Sequence, residues 1–425
     1  MYDEVTYTLV YNMCTLYNIM LCDCVSPGGS AGCVLASRLS EDPKKSVLLI
    51  EAGKKSDHYV WFHIPVGYLF TIDNPRSDWR FKTVEESGLN GRSILYPRGL
   101  GLGGTSLING MIYMRGQAED YNSWAEAAGD ESWRWEHILP LYKRKEGYYG
   151  KESEHHNTSG PWTVSKVRTS WRCLEVFKEA AKAYGIAETD DFNTGNNEGI
   201  GYYDVSQRNG WRLSSYTAFI KPHLRTRPNL TVISDAHVNT LILDKDDMGS
   251  LECKGVLAIN EGKQKEYFAN NEVILCAGSV GSVQVLERSG VGRGDVLSRL
   301  EIPMVKNLEG VGENLQDHLQ IRLVYKVSGL ETLNTMYNSI LGKVKIGLEY
   351  ILKRAGPMSA APSQLGAFLK SPGASRPDLQ FHVQPLSLPR FGQPLDSFNA
   401  ITASICNMQP TSRGSIHCSS KGEVM

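Results

Sequence analysis

The sequence has 425 residues, 41% hydrophobic and 21% charged, with a formal net charge of −1 at pH 7. Such a length sustains a large core and roughly two or three domains, and the near-zero charge gives no electrostatic reason to expect nucleic acid or an anionic membrane as partner. No apolar run reaches about eighteen residues, which argues against a membrane-spanning helix.

In chain order, residues 1–27 form an atypical N-terminal segment. Leu9, Val10, Leu16, Ile19, Met20 and Leu21 give it some apolar character, but polar residues interrupt the run. Asp3 and Glu4 stand where a basic n-region would be, so it reads as a poor signal peptide. The nine cysteines are scattered without zinc spacing or a dense disulfide framework.

Gly28-Gly-Ser-Ala-Gly32 opens a segment with Val34, Leu35 and Leu39 on one helical face, and Asp42-Pro43 ends it. Ser46-Val-Leu-Leu-Ile50 then reads as a buried parallel strand that leads into Glu51. Turn, helix and strand in this order make half of a βαβ unit. In such a unit the backbone N–H groups at Gly29, Ser30, Ala31 and Gly32 can receive a pyrophosphate. An acidic residue about twenty positions later, here Glu51, accepts from the adenosine ribose and repels a 2′-phosphate. A tight turn between packed elements is the competing reading of the glycines; the helix, the strand and Glu51 together favour binding. Pro27 occupies the place of the first glycine of the usual motif and lacks an N–H. The preceding Leu21–Ser26 is a poor central strand, because Asp23 would be buried without a partner.

From Asp78 to Gly116 glycine recurs densely, peaking at Arg98-Gly-Leu-Gly-Leu-Gly-Gly-Thr-Ser106. The loop and the following Thr105, Ser106 and Asn109 offer N–H groups, hydroxyls and an amide suited to a pyrophosphate and a polar ring edge. Helical patterning follows at Trp171–Tyr184 and Ser214–Arg225, and strand-like runs at Leu230–Ser234, Thr240–Leu243 and Val273–Leu275. The last feeds a helix containing Val285 and Leu286. Beyond about residue 320, Gln320–Tyr325 and Leu379–Val383 alternate in the manner of a second, antiparallel sheet.

The run Tyr96–Gly116 resembles the first signature of the glucose–methanol–choline (GMC) family of FAD-dependent oxidoreductases, close to the insect glucose-dehydrogenase-like branch. Asp78-Trp79, Gly210-Trp-Arg-Leu-Ser214, Arg227-Pro-Asn-Leu-Thr-Val232 and Gly310-Val-Gly-Glu-Asn-Leu-Gln-Asp-His318 follow the family in order. Ala277-Gly-Ser-Val-Gly-Ser-Val-Gln284 is similar to its second signature, with Val283 in place of a proline and Glu287-Arg288 at apolar positions. The resemblance implies an α/β fold: a Rossmann-like FAD-binding domain over residues 28–320 and a partial substrate domain over 321–425, built on an antiparallel sheet and incomplete at the C-terminus. It implies FAD as cofactor, with Gly29, Ser30, Ala31, Gly32 and Glu51 at the ADP half. Thr105, Asn109, Gly110, Met111 and Ile112 would surround the pyrophosphate and isoalloxazine, and Val238 would meet adenine through its backbone.

The implied reaction is oxidation of a small alcohol or sugar by hydride transfer to flavin N5, with the electron acceptor unspecified. The family's base is a histidine in a His-Pro-x-Gly-like segment, and no such segment occurs before Met425. His318, His382 and His417 read as packed or exposed residues, so no catalytic residue is assigned. Two readings stay open here: an oxidoreductase of CH–OH donors, or a truncated, inactive paralogue that at most binds FAD.

Overall fold

The computed structural model describes residues 22–390 and 393–420, with side chains from Pro27 onward. Residues 1–21 and the expected burial of Asp23 lie outside the described part. Strands β1 (Cys22–Pro27) and β2 (Val47–Ile50) flank helix α1 (Ser30–Leu39). With β3 (Leu230–Ile233), β4 (Ala236–Lys245), β5 (Leu251–Asn260) and β6 (Lys263–Val273) they form a six-stranded sheet in the order β3-β2-β1-β6-β5-β4. The poor strand expected before Pro27 is therefore a strand, parallel to β2 with Val25 opposite Leu48 and Pro27 opposite Ile50. Proline is tolerated because it is the last residue of the strand, where the missing donor costs least. The ladder resumes at once, as the Gly28 N–H donates to the Ile50 carbonyl at 2.9 Å.

All four residues of β2 are buried, as a strand covered on both faces requires. Val47 and Leu49 pack with Cys33 and Ala36 of α1 and with Leu102, while Leu48 and Ile50 pack with Val238, Val256 and Val285 on the other side. Each of the buried Val, Leu and Ile side chains contributes about 1.5–3 kcal/mol by leaving water.

Of the strand expected at Val273–Leu275 only Val273 is in a strand, as the last residue of the longer β6. Lys263–Phe268 pairs antiparallel with β5, and Ala269–Val273 pairs parallel with β1, so β6 joins the hairpin to the parallel core. Its hairpin turn places Glu261 and Gly262 at φ of 51° and 72°, the conformation of a tight two-residue connection. The polar run Lys263-Gln-Lys-Glu266 concealed this half of the strand, because it is an exposed edge of the pattern rather than a core segment.

A five-stranded antiparallel sheet forms the second layer: β7 (Gln320–Lys326), β10 (Ala400–Asn407), β9 (Leu379–Gln384), β8 (Leu365–Leu369) and the strand Gly199–Tyr202, in that order. Two of them, β7 and β9, cover the runs expected from alternation, while β8 and β10 were not expected; Gly199–Tyr202 joins from far upstream through pairing with β8. Leu365, Val383 and Ile401 of this sheet share a core with Leu174 of the helix Arg172–Ala183. A further five-stranded sheet contains Trp162–Lys166 and Asp204–Arg208, and Ile112 pairs there with Val205. That pairing ties the end of the glycine-rich run to a strand about ninety residues further on. The segment expected to be helical at Ser214–Arg225 is a π turn at Tyr216–Ile220 followed by a 3₁₀ turn at Lys221–His223.

Helix α2 (Gly278–Arg288) returns toward the first sheet. Its departure from an apolar pattern at Glu287 is met by packing. Glu287 is fully buried, one oxygen 2.7 Å from His417 Nδ1 and the other accepting from the Cys418 N–H at 2.7 Å. His417 also reaches Glu313, so it is a packed residue.

Candidate functional site

The two glycine clusters, about seventy residues apart in the chain, pack into one cradle. Gly103 donates its N–H to the Gly28 carbonyl at 2.7 Å, and Ser30 Oγ donates to the Gly103 carbonyl at 3.2 Å. Gly104 has φ +53°, and a Cβ there would lie 2.8 Å from Gly29 Cα and 3.1 Å from Ser30 N. At Gly53 a Cβ would meet Gly101 N at 2.3 Å. Glycine is required at these positions because backbone presses on backbone.

A cleft of ≈ 470 Å³ opens beside this cradle, within the size range of small-molecule sites. Gly29, Ser30, Ala31, Glu51, Thr105 and Val238 line it, with Trp79, Phe81, Arg98, His237 and the start of α2. Two helix N-termini meet there. Neither α1, which begins after Gly29, nor α2, which begins after Ala277, has a side-chain cap or an acid in its first turn. Their first N–H groups and dipoles favour an anion, and a Cβ on Gly29 would come within 3.2 Å of the Cys276 carbonyl. Gly32 lies buried in the first turn of α1, behind the lining.

On the opposite wall Trp79 stacks on Phe81 at 5.9 Å and lies 5.3 Å from the His237 ring. Asp78 fixes this wall by accepting from the N–H groups of Asp73, Arg80 and Arg98 at 2.8–2.9 Å. Burial, with Arg288 adding, pushes His237 down to about 4, so its ring is neutral at physiological pH. Trp79 and the Ala277–Gly281 turn belong to segments that carried sequence resemblance. His237 had no signal in the sequence.

Glu51 is 6% exposed at the end of β2. Its Oε1 accepts from the N–H groups of Gly53 at 2.9 Å and Gly101 at 3.1 Å. Burial raises it from 4.5 to about 7, against the pull of those two donors. The folded carboxyl holds its proton more tightly than the unfolded one. Stability is therefore fully present below about pH 4.5 and declines as pH rises to about 7. Glu51→Gln is expected to stabilise the ligand-free protein by up to about 3 kcal/mol at pH 8 and by little at pH 4.5. Thermal unfolding at the two pH values checks this; an equal effect at both would contradict it. The same variant should weaken ADP-ribose or FAD binding roughly tenfold or more, since a carboxylate acceptor is lost.

Beyond Thr105 the chain leaves the cleft. Asn109 is exposed, and its Oδ1 accepts from the Met111 N–H at 3.1 Å and from Arg212 Nη1 at 2.8 Å. Met111 is buried at φ +59°, an uncommon conformation for a bulky residue and one concentrated at functional sites. Its carbonyl accepts from the Ser206 N–H at 2.8 Å, and its side chain packs with Val205 and Ala361. Gly110 faces Pro362, 3.3 Å from where its Cβ would be. Arg212, buried within the Gly210–Ser214 motif, also donates to the Asn109 carbonyl at 2.8 Å and the Pro65 carbonyl at 3.2 Å. Its role as the clamp on Asn109 was not visible in the sequence.

A second cleft of ≈ 580 Å³ lies between Met114–Gln117 and the second sheet, where Gln316, His318, Gln380 and Gln409 contribute amides and an imidazole. His318 is exposed there. His382 lies on β9, where burial, with His318 adding, pushes it down to about 4.

A family description, GMC oxidoreductase, matches residues 23–320. The alcohol dehydrogenase [acceptor] of Pseudomonas putida is 37% identical over 393 residues, covering 91% of this chain and 70% of that protein. The mitochondrial choline dehydrogenase of Mus musculus is 36% identical over 393 residues, covering 91% of this chain and 65% of that protein. The chain thus spans 65–70% of the length of these relatives. Among solved structures, pyridoxine 4-oxidase from Mesorbium loti superposes with a TM-score of 0.82 at 27% identity, covering 94% of this chain and 74% of that one. Formate oxidase superposes with a TM-score of 0.85 at 22% identity, covering 96% and 76%, which bears on the fold alone. A family match across the cradle, the cleft and the motif that carries Arg212, joined to relatives above a third identical, leads to one assignment: the chain belongs to the GMC oxidoreductase family.

Proposed function

We propose that this chain is an FAD-dependent oxidoreductase of CH–OH donors, of the alcohol or sugar dehydrogenase type and of the glucose-dehydrogenase-like branch. Residues 28–320 would hold the cofactor and residues 321–425 would contribute to the substrate side. The observation that carries the reading is the joint cradle of Gly29 and Gly104 beneath two uncapped helix N-termini. At both positions a Cβ would meet backbone, so only glycine lets the two loops close and bring the helix N-terminal N–H groups to the cleft, where a pyrophosphate could be received. Glu51, at the end of β2, suits the ribose hydroxyls and disfavours a 2′-phosphate. Val238 would meet adenine through its backbone, and the stacked rings of Trp79 and Phe81 line the same cleft.

Bound FAD would supply a two-electron acceptor for hydride. Thr105 would lie at the pyrophosphate, and Asn109, Gly110, Met111 and Ile112 would carry the chain past the flavin ring. Arg212 holds Asn109 in place and Ser206 holds Met111, so this stretch is set before ligand arrives. The amide-rich second cleft offers groups matched to a small hydroxylated donor. The names of the relatives, an alcohol and a choline dehydrogenase, point to the same class of donor.

The test is to purify the 425-residue chain, reconstitute it with FAD, and record its visible spectrum before and after anaerobic addition of alcohols, choline and glucose. A flavin spectrum bleached by one of these donors is the expected result. Colourless protein that takes up no added FAD would overturn the proposal. So would thermal stabilisation by NAD and none by FAD.

A further inference from the structure

We propose that helix α3 (Ile340–Lys353) is an interfacial anchor that lays one face onto an anionic lipid surface. The helix is tied down on one side only. Ile346 enters the core of the second layer, and Tyr350 donates its hydroxyl to the Gly210 carbonyl at 3.0 Å. Ser339 caps the start by accepting from the Gly342 N–H, and Arg354 at φ +51° ends it. The other side carries Ile340, Leu341, Val344, Leu348, Ile351 and Leu352, all exposed; Ile340 is 81%, Leu341 80% and Leu352 76% accessible. At 3.6 residues per turn these six fall within an arc of about 120°, a continuous apolar stripe along about 20 Å of helix.

Charge decides what covers the stripe. Lys345 lies just beyond one edge of the arc and Lys343 beyond the other, and Lys353 follows at the C-terminus. Glu349 is the single acid of the helix. Lysines flanking an apolar arc can extend their stems along it and hold their ammonium groups at lipid phosphates. Tyr337 lies at the N-terminal end, partly exposed, with the Lys343 ammonium 4.7 Å from its ring centroid, an amphipathic pairing suited to the headgroup region. Two copies of the chain apposed through this face would bring the lysine rims together, so a second copy is a poorer occupant than a lipid surface. The overall charge of −1 conceals this because the cations are gathered locally. Among the described residues no helix is long and apolar enough to cross a membrane, so α3 would lie in the surface.

The test is sedimentation of the 425-residue chain with phosphatidylcholine vesicles, with and without phosphatidylserine, at low and high salt. Binding to the phosphatidylserine vesicles, weakened by salt, is expected. Leu341→Asp with Leu348→Asp should lower it at least tenfold. Lys343→Glu with Lys345→Glu should lower it roughly tenfold or more on phosphatidylserine vesicles and little on neutral ones. Circular dichroism and the thermal midpoint should match the parent chain in both variants, since all four side chains face outward. Failure of the parent chain to bind vesicles would overturn the proposal, as would binding insensitive to salt and to the lysine variant. Light scattering that shows a dimer dissolved by the leucine variant, without vesicle binding, would assign the face to a second copy instead.

Discussion

Gly104→Val is expected to lower FAD affinity about 100-fold and to leave the purified protein largely colourless. Gly104 holds φ +53°, where a side chain costs about 1–2 kcal/mol and a β-branched one more. The new Cβ would lie 2.8 Å from Gly29 Cα, a backbone atom that cannot swing aside as a flexible side chain would. Forcing the two loops apart adds about 1–3 kcal/mol of overpacking. It also displaces the N-terminus of α1 from the cleft. A loss near 3 kcal/mol corresponds to the stated 100-fold. Gly88→Ala is the control, because nothing lies within 4 Å of a Cβ there and its φ is not left-handed. Isothermal titration and the visible spectrum measure both variants. Stoichiometric flavin in Gly104→Val would exclude the cradle as the binding site.

Arg212→Ala is expected to destabilise the fold by about 3–5 kcal/mol and to reduce flavin retention at the same time. Arg212 is 3% exposed and supplies hydrogen bonds to the carbonyl and the side chain of Asn109 and to the Pro65 carbonyl. Burial pushes the guanidinium down to about 9, with Tyr68 opposing, so it is charged at neutral pH and its bonds are charge-assisted. Truncation would leave the buried Pro65 and Ser106 carbonyls without this donor, at about 1–3 kcal/mol each, and would remove the two bonds to Asn109. It would also release Asn109 from the turn that sets Met111 at φ +59°. Arg212→Lys should recover less than half of the loss, because an ammonium cannot reproduce the planar fork. Urea unfolding followed by far-UV circular dichroism reads the stability. An unchanged midpoint in Arg212→Ala would show that the clamp is dispensable.

Much of the architecture was legible because it is written in local patterns. A short run such as Val47–Ile50 can avoid water on both faces only as a covered strand, and it is fully buried. Alternation in Gln320–Tyr325 and Leu379–Val383 likewise marks two strands of the second sheet. The helix expected at Trp171–Tyr184 is observed over Arg172–Ala183. Less legible were segments whose pairing comes from afar. Pro27 argued against a first strand, yet the strand forms, since its neighbours β2 and β6 supply the ladder and the proline falls at its end. Lys263–Glu266 looked polar, but hairpin pairing with β5 overrides its weak intrinsic preference. Gly199–Tyr202 gave no sign that it would complete a sheet more than 160 residues downstream.

The sequence by itself determined several elements, among them the strand Val47–Ile50 and the helix Arg172–Ala183, the two glycine clusters and the placement of Glu51 after a buried strand. These depend on steric and solvation preferences that each short segment carries alone. Only the tertiary structure decided that Gly29 and Gly104 share one cradle, that Arg212 grips Asn109, and that Glu51 is held near pH 7 by burial. It also decided which face of Ile340–Lys353 stays outside. Contact between distant segments, and the loss of water around a charge, arise only when the chain has closed on itself, and no local pattern encodes them.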